Sequence, residues 1–471
     1  MSAQVTPAAG LVIRWGATRC WTWRPVHWLC LLFLWVFAQD LLTMLAGQVL
    51  PPELFKIAGR GIVMGKEALV VGGVLYLALP RARTMRWVWP DLFAVAIGAL
   101  ALVYVTIPNA WLGGPEASLT AKVVSARLLL VAPLLYCFAR WLPLRRADLA
   151  VLMRLTLRIG VIALLAGFVL TALPSDTWHQ LGLGHVYEIK YAQAGSVGDD
   201  VLTTDGFPLG WFFQDLPESL VPKPGLRRLS SLVVEPIATG LIMAVLFIMS
   251  VALAPRRRLS LTALLFGAGV ALALSRGGWL LAFLGYVLVR VRKPLVVVAV
   301  GASALAAGLL VYSFILPSFG FNTYARLRGG AVVADLAEAV EYPQGRGLGT
   351  IGYFSTVFTG ESPLAQQEEL HPFAYESFVG TLGIQLGILG VVLWVGFFVA
   401  LVRVLQRITE RWQERDVLLS RMALGVLGSV IGMGIIGFVT ASGYGFVGLV
   451  IPFSLAGAVV GVDRSLATSR H

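Results

Sequence analysis

Apolar residues occur along this chain in long, nearly uninterrupted runs that are separated by short charged turns. Most of the runs have about 17 to 25 residues, the length that an α-helix needs to cross roughly 30 Å of hydrocarbon. The strands of a membrane β-barrel would be shorter and would alternate in polarity. The pattern predicts an all-α polytopic membrane protein that forms a single membrane domain over residues 1–471. Twelve spans are expected, at 26–48, 61–80, 91–107, 119–139, 151–173, 232–254, 259–274, 277–290, 294–314, 374–402, 419–440 and 443–463.

Composition and charge agree with this class. The chain is 58% hydrophobic and only 13% charged, which is more apolar surface than one soluble core buries. Its net charge of +12 comes from basic residues at alternate helix ends, so it indicates topology and not a nucleic-acid partner. By the positive-inside rule that side is cytoplasmic. An even number of spans then predicts that the N- and C-termini are both cytoplasmic.

Two connections, 174–231 and 315–373, are much longer than the others, and the same topology places both on the external side. The first shows no strong helical period. The second is expected to contain an amphipathic helix around 324–340, followed by a turn-rich segment at 342–349. Because binding and catalytic residues concentrate on loops, we expect the function to lie in these two connections.

Arg276 lies in the run Leu274-Ser275-Arg276-Gly277-Gly278, which interrupts an otherwise apolar stretch. An arginine at that depth usually faces a water-filled interior or an anion. Arg228, at the end of the first long connection, is expected at the same external level. Two guanidiniums there would suit a pyrophosphate, which they hold by paired charge-assisted hydrogen bonds. Arg227 is read more simply as an interfacial anchor of a helix end.

Glu235 precedes Pro236 about one turn into the predicted sixth span, and we favour it as the counter-ion of an arginine over a role as a base. Lys66-Glu67 and Arg127 are further charges within predicted spans, expected either to pair with each other or to line the same cavity.

His371 and Glu376 flank the entrance to the tenth span, and either is a candidate base for an acceptor hydroxyl. The alternative is that both are ordinary surface residues. The cysteines show no metal-ligand spacing, and neither a metal nor another cofactor is expected.

Four features in order resemble the O-antigen ligase and polymerase superfamily of bacterial membrane glycosyltransferases. They cover roughly residues 225 to 395, and each motif is loose, so their order is the stronger signal. The features are Arg228 ahead of Ser230-Ser231 and Glu235-Pro236; the Ser275-Arg276-Gly277-Gly278-Trp279 hairpin; Arg326 followed by Pro343-Gln344-Gly345-Arg346-Gly347-Leu348-Gly349; and Glu376-Ser377 ahead of Gly387-Ile388-Leu389-Gly390.

The resemblance implies a fold like that of GT-C glycosyltransferases and an inverting, metal-independent enzyme of the bacterial inner membrane. Members take a glycan from an undecaprenyl-pyrophosphate donor at the external face and pass it to a glycan or lipid-linked acceptor. In that picture Arg228 and Arg276 neutralise the pyrophosphate leaving group, with Glu235, Arg127 and Arg326 in support, and the second long connection supplies the base.

One departure from the family pattern bears on the reaction. Ligases of this family carry a histidine where this chain has Glu376, although the spacing to Gly387 and Gly390 is kept. We therefore expect a polymerase that joins repeat units of a surface polysaccharide such as O-antigen or exopolysaccharide. The alternatives are an O-antigen ligase that acts on the lipid A core of lipopolysaccharide, and a multi-pass transporter or flippase.

Overall fold

The computed structural model describes residues 12–13, 21–22, 24–82, 85–191, 212–213, 226–254, 259–310, 337–351, 377–438 and 445–468. These residues form a helical bundle. Its helices are α1 (Pro25–Val49), α2 (Pro52–Gly73), α3 (Leu79–Ala82), α4 (Trp89–Thr106), α5 (Leu119–Trp141), α6 (Arg146–Ala172), α7 (Ser175–Gln180), α8 (Leu183–Tyr191), α9 (Pro236–Leu253), α10 (Leu261–Leu272), α11 (Arg276–Val291), α12 (Pro294–Leu310), α13 (Phe378–Trp412), α14 (Val417–Ile436) and α15 (Phe446–Thr468).

A helix is present at each of the twelve predicted segments. Eight helices of the described residues are long and apolar enough to cross a membrane, namely α1, α4, α5, α6, α9, α13, α14 and α15. The chain is therefore a multi-pass membrane protein by length and composition. The largest differences from the predicted boundaries are at α2, which already begins at Pro52, and at α13, which continues to Trp412.

Small departures from regular helix occur beside this bundle. A π-helix, Val74–Ala78, joins α2 to α3, and a 3-10 helix, Asn109–Leu112, precedes α5. Two short antiparallel strand pairs lie outside the helices: β1 (Val12–Ile13) with β2 (Trp21–Thr22), and β3 (Phe212–Phe213) with β4 (Leu226–Arg227).

The first long connection contains two helices that its weak periodicity did not predict, α7 and α8. Trp178, Leu183 and Val186 of these helices form a small buried cluster with Met44 of α1 and Val234. Packing against the bundle thus stabilises helices that are too short to be stable alone.

The centre of the bundle depends on close helix contacts. α15 packs along α5, and a Cβ atom at Gly457 would lie 2.2 Å from the Tyr136 carbonyl oxygen. Gly461, one turn further, would place its Cβ 2.9 Å from the Arg140 carbonyl oxygen. Small residues four apart allow two membrane helices to approach this closely, because van der Waals packing replaces the hydrophobic effect in lipid.

The two ends of the bundle differ in chemistry. At one end, here called the arginine-rich end, Arg140 lies 3.7 Å from Asp91, and Arg411 lies 3.2 Å from Asp463. Arg146 pairs there with Asp416, which also caps α14 by accepting the Leu419 N–H at 3.1 Å. Burial would raise the pKa of Asp416, but the hydrogen bonds from Arg146 and Leu419 lower it on balance.

The opposite end, here called the loop end, carries the α10–α11 turn, residues 226–235 and residues 342–351. Backbone hydrogen bonds fix two of these segments to helices of the bundle. Leu229 donates to Leu272 at 2.9 Å, and Arg346 donates to Ile384 at 2.7 Å. Most of the residues singled out from the sequence lie at this end.

Candidate functional site at the loop end

The segments that carry Arg228 and Arg276 are in backbone contact. Leu229, the neighbour of Arg228, donates its N–H to the carbonyl of Leu272 at 2.9 Å. The α10–α11 turn follows directly, and Arg276 is the first residue of α11. Both arginine side chains are partly buried. The fold therefore brings the two arginine-bearing segments to one end of the bundle.

The first turn of α9 packs directly on the first turn of α11. A Cβ at Gly240 would lie 2.5 Å from the Ser275 Cβ, and a Cβ at Gly278 would lie 2.9 Å from the Gly240 carbonyl oxygen. Glu235 occupies the N-cap position of α9, with Pro236 as the first helical residue. The prediction that Glu235 lies one turn inside the span is therefore wrong, because the chain from Leu232 to Val234 is not helical.

The start of α11 is built to present a positive helix end. Leu274 has a left-handed backbone with φ +47°, and Ser275 caps the helix by accepting the Gly278 N–H at 3.2 Å. Helix N-termini carry exposed N–H groups and a partial positive charge. The Arg276 guanidinium adds a full charge at the same place, so the electrostatics suit an anion.

Residues 230–234 form a non-helical stretch that hydrogen bonds pin to three helices. Ser231 donates its N–H to Thr239 Oγ1 of α9 at 3.2 Å, and Ser230 donates to Thr171 Oγ1 of α6 at 3.3 Å. Val234 donates to Asp40 Oδ2 of α1 at 3.0 Å. These bonds set the position of the chain between Arg228 and Glu235.

Arg227 has the anchoring role that was expected of it. Its Nη1 donates to the Leu173 carbonyl at 2.8 Å, at the C-cap of α6, and the guanidinium lies 5.9 Å from the Trp178 ring centroid. Burial lowers the pKa of Arg227. The side chain thus caps a helix end and covers an aromatic ring.

A buried polar cluster lies between α1, α2 and α5. Lys66 Nζ is 2.9 Å from Gln39 Oε1 and 3.6 Å from a carboxylate oxygen of Glu67. Arg127 approaches the same carboxylate oxygen of Glu67 at 3.7 Å. The pairing of Lys66-Glu67 with Arg127, one of two alternatives drawn from the sequence, is observed. Among the described residues Arg127 pairs with Glu67, so Arg127 belongs to this cluster.

Asp40 is the residue that sequence reasoning missed. It is fully buried in α1, with 0% exposure, and lies beside Gln39 of the polar cluster. Its hydrogen bond to Val234 joins α1 to the segment between Arg228 and Glu235. The available signal was an Asp inside an apolar run, Phe37-Ala38-Gln39-Asp40-Leu41-Leu42, since intramembrane carboxylates are rare and usually functional.

The glycine-rich segment 342–351 docks on a kink in α13. Gly387 interrupts the helix with φ +69°, and the carbonyls that the kink frees accept from the segment. Arg346 donates to Ile384 at 2.7 Å and Gly347 to Gln385 at 3.2 Å, while Ile388 donates back to Pro343 at 2.9 Å. The segment and the kink therefore form one unit, and its glycines mark turns.

Arg346 is held inside this unit. Its Nε lies 3.0 Å from Glu338 Oε1, and its guanidinium stacks at 4.1 Å on the Tyr342 ring. Residues 337–341 are helical, and the rest of the helix expected around 324–340 lies outside the described residues. Arg346 thus has a structural role, because it joins Glu338 and Tyr342 to the kink of α13.

The remaining predicted site residues, Arg326, His371 and Glu376, lie outside the described residues. The described chain resumes at Ser377, directly after Glu376. Ser377 caps α13 by accepting the Gly380 N–H at 3.0 Å, and Val379 donates to the Gly437 carbonyl at 3.0 Å. The start of α13 is thereby fixed at the loop end.

Comparison with known proteins adds no relative. No protein-family model matches the chain, and no curated protein matches it significantly. The functional argument accordingly depends on the residues and on their arrangement.

Proposed function

We propose that this protein is a membrane glycosyltransferase that transfers a glycan from an undecaprenyl-pyrophosphate donor. The observation that carries the proposal is the hydrogen bond from Leu229 to Leu272, the last residue of α10, because it brings the segment of Arg228 to the end of the bundle where α11 begins with Arg276. The twelve-span, GT-C-like architecture and the external position of the loop end belong to the same proposal.

The chemistry follows from the charges at that end. Departure of the lipid pyrophosphate leaves negative charge on its oxygens, and fixed guanidiniums stabilise charge that develops in the transition state. Arg276 acts together with the N-terminus of α11, and Arg228 lies on a segment pinned by α1, α6 and α9. A base removes the proton from the acceptor hydroxyl as the glycosidic bond forms.

We assign that base to Glu376, with His371 as the second candidate, and propose a polymerase of surface-polysaccharide repeat units. Glu376 precedes the N-cap of α13, and Gly387 follows at the spacing of the family motif. Gly387 has a backbone conformation that favours glycine, so this part of the motif has a structural reason.

The test is transfer by the purified protein in nanodiscs, supplied with an undecaprenyl-pyrophosphate oligosaccharide and no ion gradient. We expect Arg276→Ala to lower turnover at least about 100-fold, the scale seen when one preorganised oxyanion donor is removed. Arg60→Ala is the matched control, since Arg60 is an exposed arginine of α2. Unchanged melting temperature and elution volume show that each variant is folded.

Product at the wild-type level from Arg276→Ala refutes the pyrophosphate role. Gradient-driven uptake of a solute without any product lengthening supports a transporter instead. Glu376→Gln is expected to slow transfer more than His371→Ala, and the reverse order favours a ligase.

A further inference from the structure

A small cavity at the arginine-rich end has no part in the proposed glycan transfer. It lies between the ends of α9 and α11 and the start of α14, and has a volume of about 140 Å³. A water molecule takes about 30 Å³ in the liquid, so the space suits a group of several non-hydrogen atoms such as a phosphate. The lining residues are Val251, Ala252, Ala254, Val289, Arg290, Arg292, Arg421 and Leu424.

The lining is cationic without a counter-charge. It contains three arginines and no acidic residue. Three other arginines at this end, Arg140, Arg146 and Arg411, have a carboxylate within 4.0 Å. Within the described part of the chain, no carboxylate pairs with the three cavity arginines. Residues 255–258, which follow Ala254 in sequence, are one proline and three arginines and add no acid.

Two of the three guanidiniums, those of Arg421 and Arg290, keep donors for a ligand. Arg421 Nη1 donates to the Leu253 carbonyl at 3.1 Å, which uses one of its five N–H groups. Arg290 lies over the Tyr286 ring at 5.0 Å, and its buried Nε has no hydrogen-bond partner in the described structure. A buried cationic donor of this kind is costly unless an anion joins it.

Arg292 supplies a separate observation. It is the C-cap of α11 and has a left-handed backbone, with φ +58°. Glycine or asparagine is favoured in that conformation, and other residues adopt it at a cost. An arginine at this position strains the backbone, and residues that break a local preference in this way are typically found at functional sites.

We propose that this three-arginine cavity binds the phosphate group of an anionic membrane phospholipid. Guanidiniums match phosphate oxygens with paired hydrogen bonds. The half-buried Ala254 and Val289 of the lining and the exposed Val291 beside it favour a lipid over a free anion, because an acyl chain can lie along them. The positive-inside rule puts this end at the leaflet that carries negative surface potential.

The test measures the melting temperature of the full-length protein in a neutral detergent while phosphatidylglycerol is added. Diacylglycerol, inorganic phosphate and glycerol phosphate are added in parallel to separate the lipid from its parts. We expect phosphatidylglycerol to raise the melting temperature, since a ligand that binds the folded state stabilises it. We expect none of the other three to match it at equal concentration.

Arg290→Gln with Arg421→Gln removes two cavity charges. The matched control, Arg403→Gln with Arg407→Gln, removes two exposed charges of α13 at the same end. The cavity pair is expected to need at least about tenfold more phosphatidylglycerol for the half-maximal shift, as expected for lost charge-assisted hydrogen bonds. The control pair is expected to stay near wild type.

If the variant with Arg290→Gln and Arg421→Gln does not fold, the single substitution Arg292→Asn provides the test. Asparagine suits the left-handed backbone, so the lipid-free melting temperature should hold or rise while the lipid requirement increases severalfold. Equal lipid requirements for wild type, the cavity variants and the control overturn the proposal in favour of general surface attraction. An equal shift with inorganic phosphate overturns the lipid assignment in favour of a free-anion site.

Discussion

At the scale of the residue, Asp40 links the interior of the bundle to the candidate site. Its carboxylate is fully buried in α1 and accepts the N–H of Val234 at 3.0 Å. A buried N–H that loses its acceptor costs about 1–3 kcal/mol. Asp40 is therefore a positioning residue for the chain between Arg228 and Glu235.

We predict that Asp40→Ala lowers the melting temperature and the transfer rate, with a loss of stability of about 1–3 kcal/mol. Asp40→Asn retains an acceptor for Val234 and should recover most of both. Thr43→Val is the control, because Thr43 lies one turn away and its hydroxyl bonds within α1, to Gln39. If Asp40→Asn lowers the melting temperature and the transfer rate as much as Asp40→Ala does, the negative charge of Asp40 is what matters, and the hydrogen bond from Val234 is not.

Individual residues show where prediction from sequence stops. Arg276 was identified because a guanidinium in an apolar run is conspicuous, and Arg227 was correctly read as an anchor. Asp40 was overlooked, since nothing in its local pattern reveals that Val234, 194 positions away, needs an acceptor. Long-range polar partners are set by packing.

At the scale of the element, the kink of α13 is the feature with the clearest consequence. Gly387 has φ +69°, and a Cβ there would lie 2.2 Å from the Pro343 carbonyl oxygen. The kink exposes the carbonyls of Ile384 and Gln385, which the segment 343–347 then uses. The contact between α13 and the segment 343–347 thus depends on Gly387.

We predict that Gly387→Ala separates the segment from the helix. Gly387 has φ +69° and ψ −170°, a region that is essentially confined to glycine. An alanine there is strained by about 1–3 kcal/mol, and the contact with Pro343 adds to it. Hydrogen exchange should become faster at the amides of Arg346 and Gly347. Gly98→Ala in α4 is the control, because a Cβ there meets nothing within 4 Å. If hydrogen exchange at both amides is unchanged in Gly387→Ala, the segment 343–347 does not depend on the kink and the prediction is wrong.

Hydrophobic runs predicted where the long helices are, because about twenty apolar residues in lipid must satisfy their backbone within the helix. They did not predict α7 and α8, which contact α1 and the bundle instead of lipid. The kink at Gly387 was also not foreseen. A glycine inside an apolar run has the same local sequence whether the helix bends or continues straight.

At the scale of the whole molecule, the charge asymmetry gives a testable orientation. Three arginine–carboxylate pairs, Arg140–Asp91, Arg146–Asp416 and Arg411–Asp463, lie at one end, and the described parts of the two long connections lie at the other. From the positive-inside rule we predict that the arginine-rich end is cytoplasmic.

We predict that a cysteine at Thr120, exposed at the start of α5, reacts with a membrane-impermeant maleimide in intact cells. A cysteine at Gln413, exposed between α13 and α14, should react only after the membrane is permeabilised. The background has its native cysteines replaced by alanine and serves as the control. Labelling of both sites in intact cells, or the reverse order, contradicts the orientation.

The sequence by itself determined the class of protein, the position of its long helices and the few charged residues inside apolar runs. Each of these follows from local rules, namely hydrocarbon thickness, backbone hydrogen bonding and the cost of burying charge. Only the tertiary structure decided which distant residues come into contact. Lys66 and Arg127 meet at Glu67, Asp40 accepts from Val234, and Leu229 donates to Leu272 at the end of α10. Those contacts depend on how closely helices distant in sequence approach, and that distance is set by packing over the whole bundle.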